Sequence, residues 1–224
     1  MDLERLEKEI IRDFYKWRGK LFIADQVISV LTILLFAVLR PDYLIFIIYL
    51  LAIPYLILSQ RTSLLYPFAV ATLISFVWIF FARNQYAYNY NFIVLWKINL
   101  FPFFAWAMGL FSSYLLYLHY EHILIRKIGR GFIKMLAFFS ALYLPLLILV
   151  EDIGYNFLDI HNLAAANYSG LPFCNCLHGP AWMKLAYFLI GPLFFTICYF
   201  LRIENPHIKM YNQTKKLIRE IEKI

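Results

Sequence analysis

Six long apolar runs constrain this chain more than any other feature of its sequence. A hydrocarbon core of about 30 Å is crossed by roughly 20 helical residues, and each run approaches that length. Only 16% of the residues are charged, whereas a soluble domain has about 25%. We therefore predict an all-α, polytopic membrane helix bundle in a lipid bilayer, with about six transmembrane helices within residues 22–202. The predicted spans are about 22–39, 43–59, 64–82, 98–118, 131–150 and 181–201.

The two ends of the chain differ in character from the apolar runs. Residues 1–21 carry both acids and bases, and their apolar residues recur at steps of three or four: Leu3, Leu6, Ile10, Phe14, Trp17 and Leu21. This spacing is typical of an amphipathic helix, which we expect to lie on the cytoplasmic membrane surface. A helix packed on another protein is the alternative. Residues 203–224 form a basic cytoplasmic tail of similar character.

The distribution of Lys and Arg predicts the orientation. Basic residues cluster in both tails and in alternate loops, for example at Arg126, Lys127 and Arg130. The positive-inside rule then places both termini in the cytoplasm, and a plasma membrane is the simplest location. The net charge of +7 follows from this topology, so we predict no nucleic-acid partner.

Two proline-led helix starts indicate an internal repeat. Pro102 lies in the segment INLFPFFAW and Pro180 in the segment GPAWM, 78 residues apart along the chain. Each follows a long outer loop and opens an aromatic-rich apolar run. A parallel repeat of two helix pairs explains this arrangement. Chance similarity is the alternative, because proline is common in the first turn of any helix.

Residues 64–202 resemble, in outline, the small integral-membrane lycopene cyclases of carotenoid biosynthesis. Those proteins carry a Trp-Asp pair, a loop with an aromatic, Asn and Pro pattern, and a Pro-x-Glu-Glu motif in each repeat. The segment Arg83–Tyr90 stands at the aromatic-Asn loop, and Glu151-Asp152 stands at the second Trp-Asp pair. The acids of Pro-x-Glu-Glu are missing, because the corresponding residues are Phe104, Ala105, Trp182 and Met183. The first Trp-Asp pair corresponds to Trp78-Ile79, so its acid is missing too.

The resemblance implies an enzyme that closes a ring on a long isoprenoid, an intramolecular lyase or isomerase of the carotenoid β-cyclase type. Such a reaction starts when a carboxylic acid protonates a terminal double bond, and aromatic faces stabilise the resulting cation. We expect the catalytic acids to be Glu151 and Asp152, with no cofactor and no metal. The expected substrate-binding residues are Tyr86, Tyr88, Asn89, Pro102, Trp106, Pro180 and Trp182.

Other functions fit the same residues. A non-catalytic relative would bind an isoprenoid or lipid, or act as an assembly subunit in a homo- or hetero-oligomer. An unrelated small transporter or membrane scaffold would show a similar helix pattern. For Glu151 and Asp152, the simpler interpretation is an acidic helix end at the membrane interface, paired with Lys97 or Arg83.

A group of residues with metal-ligand chemistry lies in the last outer loop. In an extended segment Cys174, Cys176 and His178 would point the same way, and His161 could join them. Two Cys and two His suit zinc, although the spacing is not one of the common zinc patterns. Ordinary loop residues are a second interpretation. A disulfide with a partner chain is a third, if this face is oxidising, whereas a Cys174–Cys176 bridge would close a small, strained ring.

Overall fold

The structure is a computed structural model that describes residues 3–203 and 205–206. It is an all-α bundle, as predicted, and its helices follow the apolar runs closely. In chain order they are α1 (Leu3–Leu35), α2 (Pro41–Leu58), α3 (Leu65–Ala82), α4 (Leu100–Ile128), α5 (Phe132–Asp152) and α6 (Ala181–Phe200). The first helix begins well before its predicted span, at Leu3, and the fourth continues past residue 118 to Ile128.

Five helical stretches in the described part of the chain are long and apolar enough to cross a membrane: Pro41–Leu58, Thr62–Gln85, Leu100–Ile128, Phe132–Phe157 and Ala181–Phe200. The first helix, α1, is not among them, because Arg18, Lys20 and Asp25 place charges in its apolar half. α1 is also one continuous helix of 33 residues. The predicted boundary between the interfacial helix (1–21) and the first span is therefore not marked by any break in α1. The predicted basic tail lies outside the described residues, except for 203, 205 and 206.

Although α1 is the least apolar helix, it runs along nearly the whole of α4. Near one end, the guanidinium of Arg18 lies 2.6 and 3.0 Å from the ring nitrogens of His122. Near the other end, the rings of Phe36 and Phe101 have centroids 6.1 Å apart. A helix rises about 1.5 Å per residue, so these two contacts are about 30 Å apart along α4. α1 thus covers the height of a hydrocarbon core beside a helix that can span it.

A buried ion pair joins α1 to the turn between α2 and α3. Two guanidinium nitrogens of Arg61 donate to the Asp25 carboxylate at 2.8 and 3.0 Å, and the Tyr55 hydroxyl donates to the same group at 2.7 Å. The side chain of Arg61 is 0% exposed. Burial opposes its charge, but the hydrogen bonds and charge of Asp25 outweigh burial, so the pKa of Arg61 is raised above its usual value. Arg61 therefore stays charged inside the bundle.

The other four helices form two antiparallel pairs, α3 with α4 and α5 with α6. We call the end of the bundle that holds the two long interhelical loops the outer end, after its predicted side. Outer loop 1 (residues 83–99) joins the first pair and contains the hairpin of β1 (Val94–Leu95) and β2 (Ile98–Asn99). Outer loop 2 (residues 153–180) joins the second pair and begins with the π-helical turn Ile153–Phe157. The two loops lie at the same end of the bundle, as they do in any up-and-down series of helices, so the internal repeat stays a prediction.

The segment INLFPFFAW is a helix entrance. α4 begins at Leu100, and the side chain of Asn99 caps it by accepting a hydrogen bond from the Phe101 amide at 3.1 Å. Pro102 follows in the first turn, where its missing N–H has no intrahelical partner to lose. Pro180 lies one residue before α6 and is its N-cap residue.

Gly191 allows α5 and α6 to approach closely. A Cβ atom at this position would lie 2.4 Å from two ring carbons of Tyr143, which is far inside van der Waals contact. The Tyr143 hydroxyl donates to the backbone carbonyl of Tyr187 at 2.6 Å. This close approach places Tyr187 near the outer ends of the two helix pairs.

Candidate functional site

The two outer loops are joined by a reciprocal exchange of hydrogen bonds. Asn89 of loop 1 donates to the carbonyl of Asp159 at 2.6 Å and accepts from the amide of His161 at 2.8 Å. Asn162 of loop 2 donates to the carbonyl of Gln85 at 2.6 Å and accepts from the amide of Ala87 at 3.2 Å. Each asparagine therefore binds a carbonyl and the amide two residues later on the other loop.

Beneath these loops, the hydroxyl of Tyr86 is the centre of a buried aromatic cluster. The indole N–H groups of Trp78 and Trp106 both donate to it, at 2.8 and 3.2 Å, and the Tyr187 hydroxyl lies 2.9 Å away. Trp182 packs edge-on against Trp78 with ring centroids 5.9 Å apart. We call these five residues the aromatic cluster; they come from α3, loop 1, α4 and α6.

The hydrogen-bond partners of Tyr86 determine which group accepts its hydroxyl proton. A phenol oxygen has two acceptor sites, and the indoles of Trp78 and Trp106 occupy both on Tyr86. The hydroxyl proton of Tyr86 is therefore donated to Tyr187. The hydroxyl proton of Tyr187 is in turn left for a different acceptor.

Glu151, at the outer end of α5, is an acid that interacts electrostatically with the aromatic cluster. Burial raises the pKa of Tyr86 and of Tyr88 well above the usual value, and the Glu151 carboxylate adds to both shifts. The same carboxylate also interacts electrostatically with Tyr187. Glu151 is half-buried, and within residues 3–203 and 205–206 its carboxylate has neither a hydrogen-bond nor an ion-pair partner. It is therefore available to a ligand beside the aromatic cluster.

Asp152 faces a different environment. Its carboxylate accepts a hydrogen bond from the Asn156 side chain at 2.6 Å, and it lies with the two sulfurs of Cys174 and Cys176 within 4.8 Å. The described residues give neither acid an ion pair with Lys97 or Arg83. The two adjacent acids thus belong to separate sites, one aromatic and one sulfur-containing.

The residues expected to bind substrate lie in three different places. Tyr86, Trp106 and Trp182 belong to the aromatic cluster, and Tyr88 lies beside it with its ring 6.2 Å from that of Tyr86. Asn89 instead joins the loops. The two prolines, Pro102 and Pro180, are at helix starts.

Sequence reasoning did not select Tyr187, and it noted Trp78 only as a motif position. Tyr187 lies about two helical turns after Pro180, and Trp106 about one turn after Pro102, so each projects from the first turns of a proline-led helix. That shared placement is a signal that the sequence contained. This placement alone does not distinguish Tyr187 and Trp106 from the other aromatic residues of the same helices. Only the packing of the helices shows which aromatic residues meet.

The cysteines of outer loop 2 form a disulfide with each other, Cys174–Cys176. Of the two histidines expected near them, His178 lies 2.7 Å from the Tyr168 carbonyl and 2.8 Å from the Asn175 carbonyl. His161 lies 2.9 Å from the Tyr155 carbonyl. The structure therefore contains the disulfide, and the two histidine rings form hydrogen bonds within the loop.

The positions that correspond to the missing Pro-x-Glu-Glu acids are largely filled by packing. Phe104 is buried against Tyr49 with ring centroids 4.8 Å apart, and Met183 is buried in the main core. Trp182 is 49% exposed. These side chains offer no titratable group, so Glu151 and Asp152 are the acids that remain near the outer ends of α5 and α6.

The fold defines this chain as an all-helical bundle with several helices suited to a membrane. Within its described part, the site is defined by the Glu151 carboxylate, which has no hydrogen-bond or ion-pair partner there and interacts electrostatically with buried aromatic residues. Comparison with protein-family models, with curated proteins and with solved structures finds no match for the chain.

Proposed function

We propose that this integral membrane protein binds a long isoprenoid at the outer ends of α3–α6 and closes a ring on it by protonation. The observation that carries the proposal is the placement of Glu151, which is half-buried and unpaired within the described residues, beside Tyr86 and Tyr187. A carboxylic acid next to aromatic faces is the combination that a cation-forming cyclisation needs. The resemblance to the small membrane lycopene cyclases supports the same reaction class.

In this proposal, Glu151 donates the proton to a terminal double bond of the ligand. The carboxylate that remains, together with the faces of Trp182 and Trp78, then stabilises the carbocation, each face by about 0.5–2 kcal/mol. A second double bond of the ligand attacks the cation and closes the ring, and the cyclic cation loses a neighbouring proton to the Glu151 carboxylate, which restores the acid. Trp182 is partly exposed, so it provides the edge at which an apolar ligand reaches the cluster from the bilayer.

A second candidate is an isoprenoid-binding protein without turnover. It is favoured by Phe104 and Met183, which are buried at positions where the resembling enzymes have acids. Loss of those acids removes proton donors but leaves the apolar walls in place. Such a protein would bind the same ligand and release it unchanged.

The test is expression in a bacterial host that accumulates lycopene, with chromatography and mass detection of the host pigments and of the purified protein's bound fraction. We expect ring-containing products from the wild type and their loss in Glu151→Gln, which keeps the shape and removes the proton. Asp159→Asn is the matched control: Asp159 is an acid of outer loop 2, which follows Glu151 in the chain, its side chain is 77% exposed, and its φ of 55° suits asparagine.

Three outcomes separate the candidates. Cyclic pigment that disappears only in Glu151→Gln supports the enzyme. Unchanged pigment bound to the wild type supports the binding protein. If neither product nor bound pigment is found, or if Glu151→Gln cyclises as well as the wild type, the proposed role of Glu151 is wrong.

We also infer the orientation in the membrane, with both termini in the cytoplasm and the outer loops on the opposite side. The basic turn between α4 and α5 carries Arg126, Lys127 and Arg130, which favours the cytoplasmic side. The height that α1 covers along α4 supports six crossings, an even number that returns the chain to the side where it began. A plasma membrane remains the simplest location.

A further inference from the structure

We propose that the Cys174–Cys176 disulfide is exchange-active and oxidises a dithiol at the outer face of the bundle. This activity is independent of the isoprenoid site, because it uses the sulfurs beside Asp152 and not the aromatic cluster beside Glu151. Four observations support it: the short ring, the separate support of the loop, the unequal exposure of the two sulfurs, and a carboxylate next to them.

The disulfide adds little to the stability of the loop. It links residues only two positions apart, and the conformational entropy that a cross-link removes from the unfolded chain falls with the length of the closed loop. A disulfide that is kept for stability normally closes a much longer segment. The small ring therefore indicates that the disulfide has a chemical role rather than a stabilising one.

Other contacts already hold this segment in place. The amide of Leu171 donates to the Cys176 carbonyl at 2.8 Å, and the amide of Asn175 donates to the Leu171 carbonyl at 2.8 Å. His178 bridges Tyr168 and Asn175 through its two ring nitrogens. Since these bonds do not involve the sulfurs, the loop keeps its conformation when the disulfide opens.

The two sulfurs differ in exposure, which sets the order of events. Cys176 is 0% exposed, whereas Cys174 is only partly buried. An incoming thiolate must approach along the S–S axis from the side of the sulfur it attacks, so it reaches Cys174. Cys176 is then the leaving group and later the resolving thiol.

Asp152 supplies the proton transfer that this order requires. Its carboxylate lies within 4.8 Å of both sulfurs, and Asn156 fixes it by donating to Asp152 at 2.6 Å and to the Cys174 carbonyl at 3.0 Å. A carboxylate in this place relays a proton to the buried sulfur as it leaves. Asp152 is thus a positioning residue for the exchange, distinct from Glu151.

The reaction balances as follows. A thiolate of the dithiol bonds to the Cys174 sulfur, the Cys174–Cys176 bond breaks, and its electron pair leaves on Cys176, which takes up a proton through Asp152. The second thiol of the substrate then attacks the substrate sulfur of the mixed disulfide, and Cys174 leaves as a thiolate and is protonated. The dithiol loses two electrons and two protons and becomes a disulfide, and the protein gains both.

The experiment uses the oxidised full-length chain in mild detergent with reduced glutathione as the probe, followed by alkylation and peptide mass analysis. We expect a glutathione adduct on Cys174, an alkylated Cys176, and recovery of the disulfide in oxidised glutathione. Cys198 is buried within α6 and serves as the internal control that stays unmodified. A disulfide that survives this treatment, an adduct on Cys176, or a stable dithiol that retains a metal through purification would each overturn the proposal.

A pair of single variants tests the order independently. In Cys176→Ser the exposed thiol remains, and in Cys174→Ser the buried one remains, so we expect oxidised glutathione to react at least tenfold faster with Cys176→Ser. Asp152→Asn should slow opening of the wild-type disulfide several-fold, with a changed pH profile, whereas Asp159→Asn should not. Equal rates for the two serine variants would contradict the assignment, and the wild-type measurement remains decisive if either variant fails to fold.

Discussion

Asn89 and Asn162 make the same pair of hydrogen bonds in opposite directions across the outer face of the bundle. Each side chain donates to a backbone carbonyl and accepts from the amide two residues later on the partner loop. Such an exchange is what a pseudo-twofold axis along the membrane normal produces when two repeats meet. The two loops therefore act as one cover over the aromatic cluster.

This relationship predicts coupled effects on stability. Asn89→Ala and Asn162→Ala should each cost about 1–2 kcal/mol, because each removes two hydrogen bonds to backbone groups. The double variant should cost less than the sum by about 0.5–1 kcal/mol, since either change alone already loosens the shared contact. Thermal unfolding in detergent measures all three.

Asn84→Ala is the control for that cycle, because Asn84 is an exposed asparagine of the same loop with no side-chain hydrogen bond among the described residues. It should change stability by no more than about 0.5 kcal/mol. Strict additivity of the two single changes would show that Asn89 and Asn162 support their loops separately.

Gly191→Ala should destabilise the bundle by about 1–3 kcal/mol, because the added methyl group overlaps the ring of Tyr143. Gly109→Ala in α4 is the matched control: a Cβ atom there meets nothing within 4 Å. That change should be neutral or stabilising by up to about 1 kcal/mol, through helix propensity. The unfolding midpoints of the two variants measure the difference, and equal shifts would argue against close α5–α6 packing.

Tyr86→Phe should lower stability by about 1–3 kcal/mol, since it leaves the buried indole N–H groups of Trp78 and Trp106 without an acceptor. Tyr90→Phe is the control, because the Tyr90 ring is 40% exposed and its hydroxyl makes one long bond of 3.4 Å. Tryptophan fluorescence during unfolding reports both the stability and the altered indoles. A Tyr86→Phe variant as stable as Tyr90→Phe would exclude the central role of this hydroxyl.

The buried phenol of Tyr86 also predicts that the protein loses stability at alkaline pH. Because burial raises the pKa of Tyr86, its contribution to stability is fully present below the usual tyrosine pKa of about 10 and is lost as the pH rises above it. The stability difference between wild type and Tyr86→Phe should therefore shrink above about pH 10. A difference that stays constant to higher pH would contradict the burial of this group.

Removing one partner of the Asp25–Arg61 pair should cost about 3–5 kcal/mol, because the remaining charge stays buried without compensation. Arg61→Met is expected to show this loss in thermal unfolding. The double change Asp25→Leu with Arg61→Met should recover most of it, since two apolar side chains of similar size need no ion partner. A double variant that is less stable than both single variants would indicate a specific requirement for the charges.

The proposed orientation predicts which side of the membrane carries Asn167. Asn167-Tyr168-Ser169 is a glycosylation triplet in outer loop 2, and both Asn167 and Ser169 are exposed. On insertion into microsomes, the wild type should gain a glycan that Asn167→Gln lacks. An equivalent triplet introduced by Arg126→Asn with Ile128→Ser, near the basic turn, should stay unmodified, and the reverse pattern would invert the topology.

The helices could be predicted because their determinants are local. Apolar runs of sufficient length fold into helices wherever the bilayer or the core hides them, and Asn99 and Pro102 mark the start of α4 within a few residues. The charges of α1 were equally visible in the sequence, but its position was not. Only the contacts of Arg18 and Phe36 place it along α4.

The candidate site could be predicted only in part, because it depends on which way neighbouring side chains point. Glu151 and Asp152 are adjacent and chemically alike, yet the last turn of α5 directs one toward the aromatic cluster and the other toward the cysteines. The sequence by itself determined the helices and the supply of acids and aromatics, since these follow from local composition and periodicity. The tertiary structure decided that Tyr86 joins Trp78, Trp106 and Tyr187, because contacts between distant residues arise only when the helices pack.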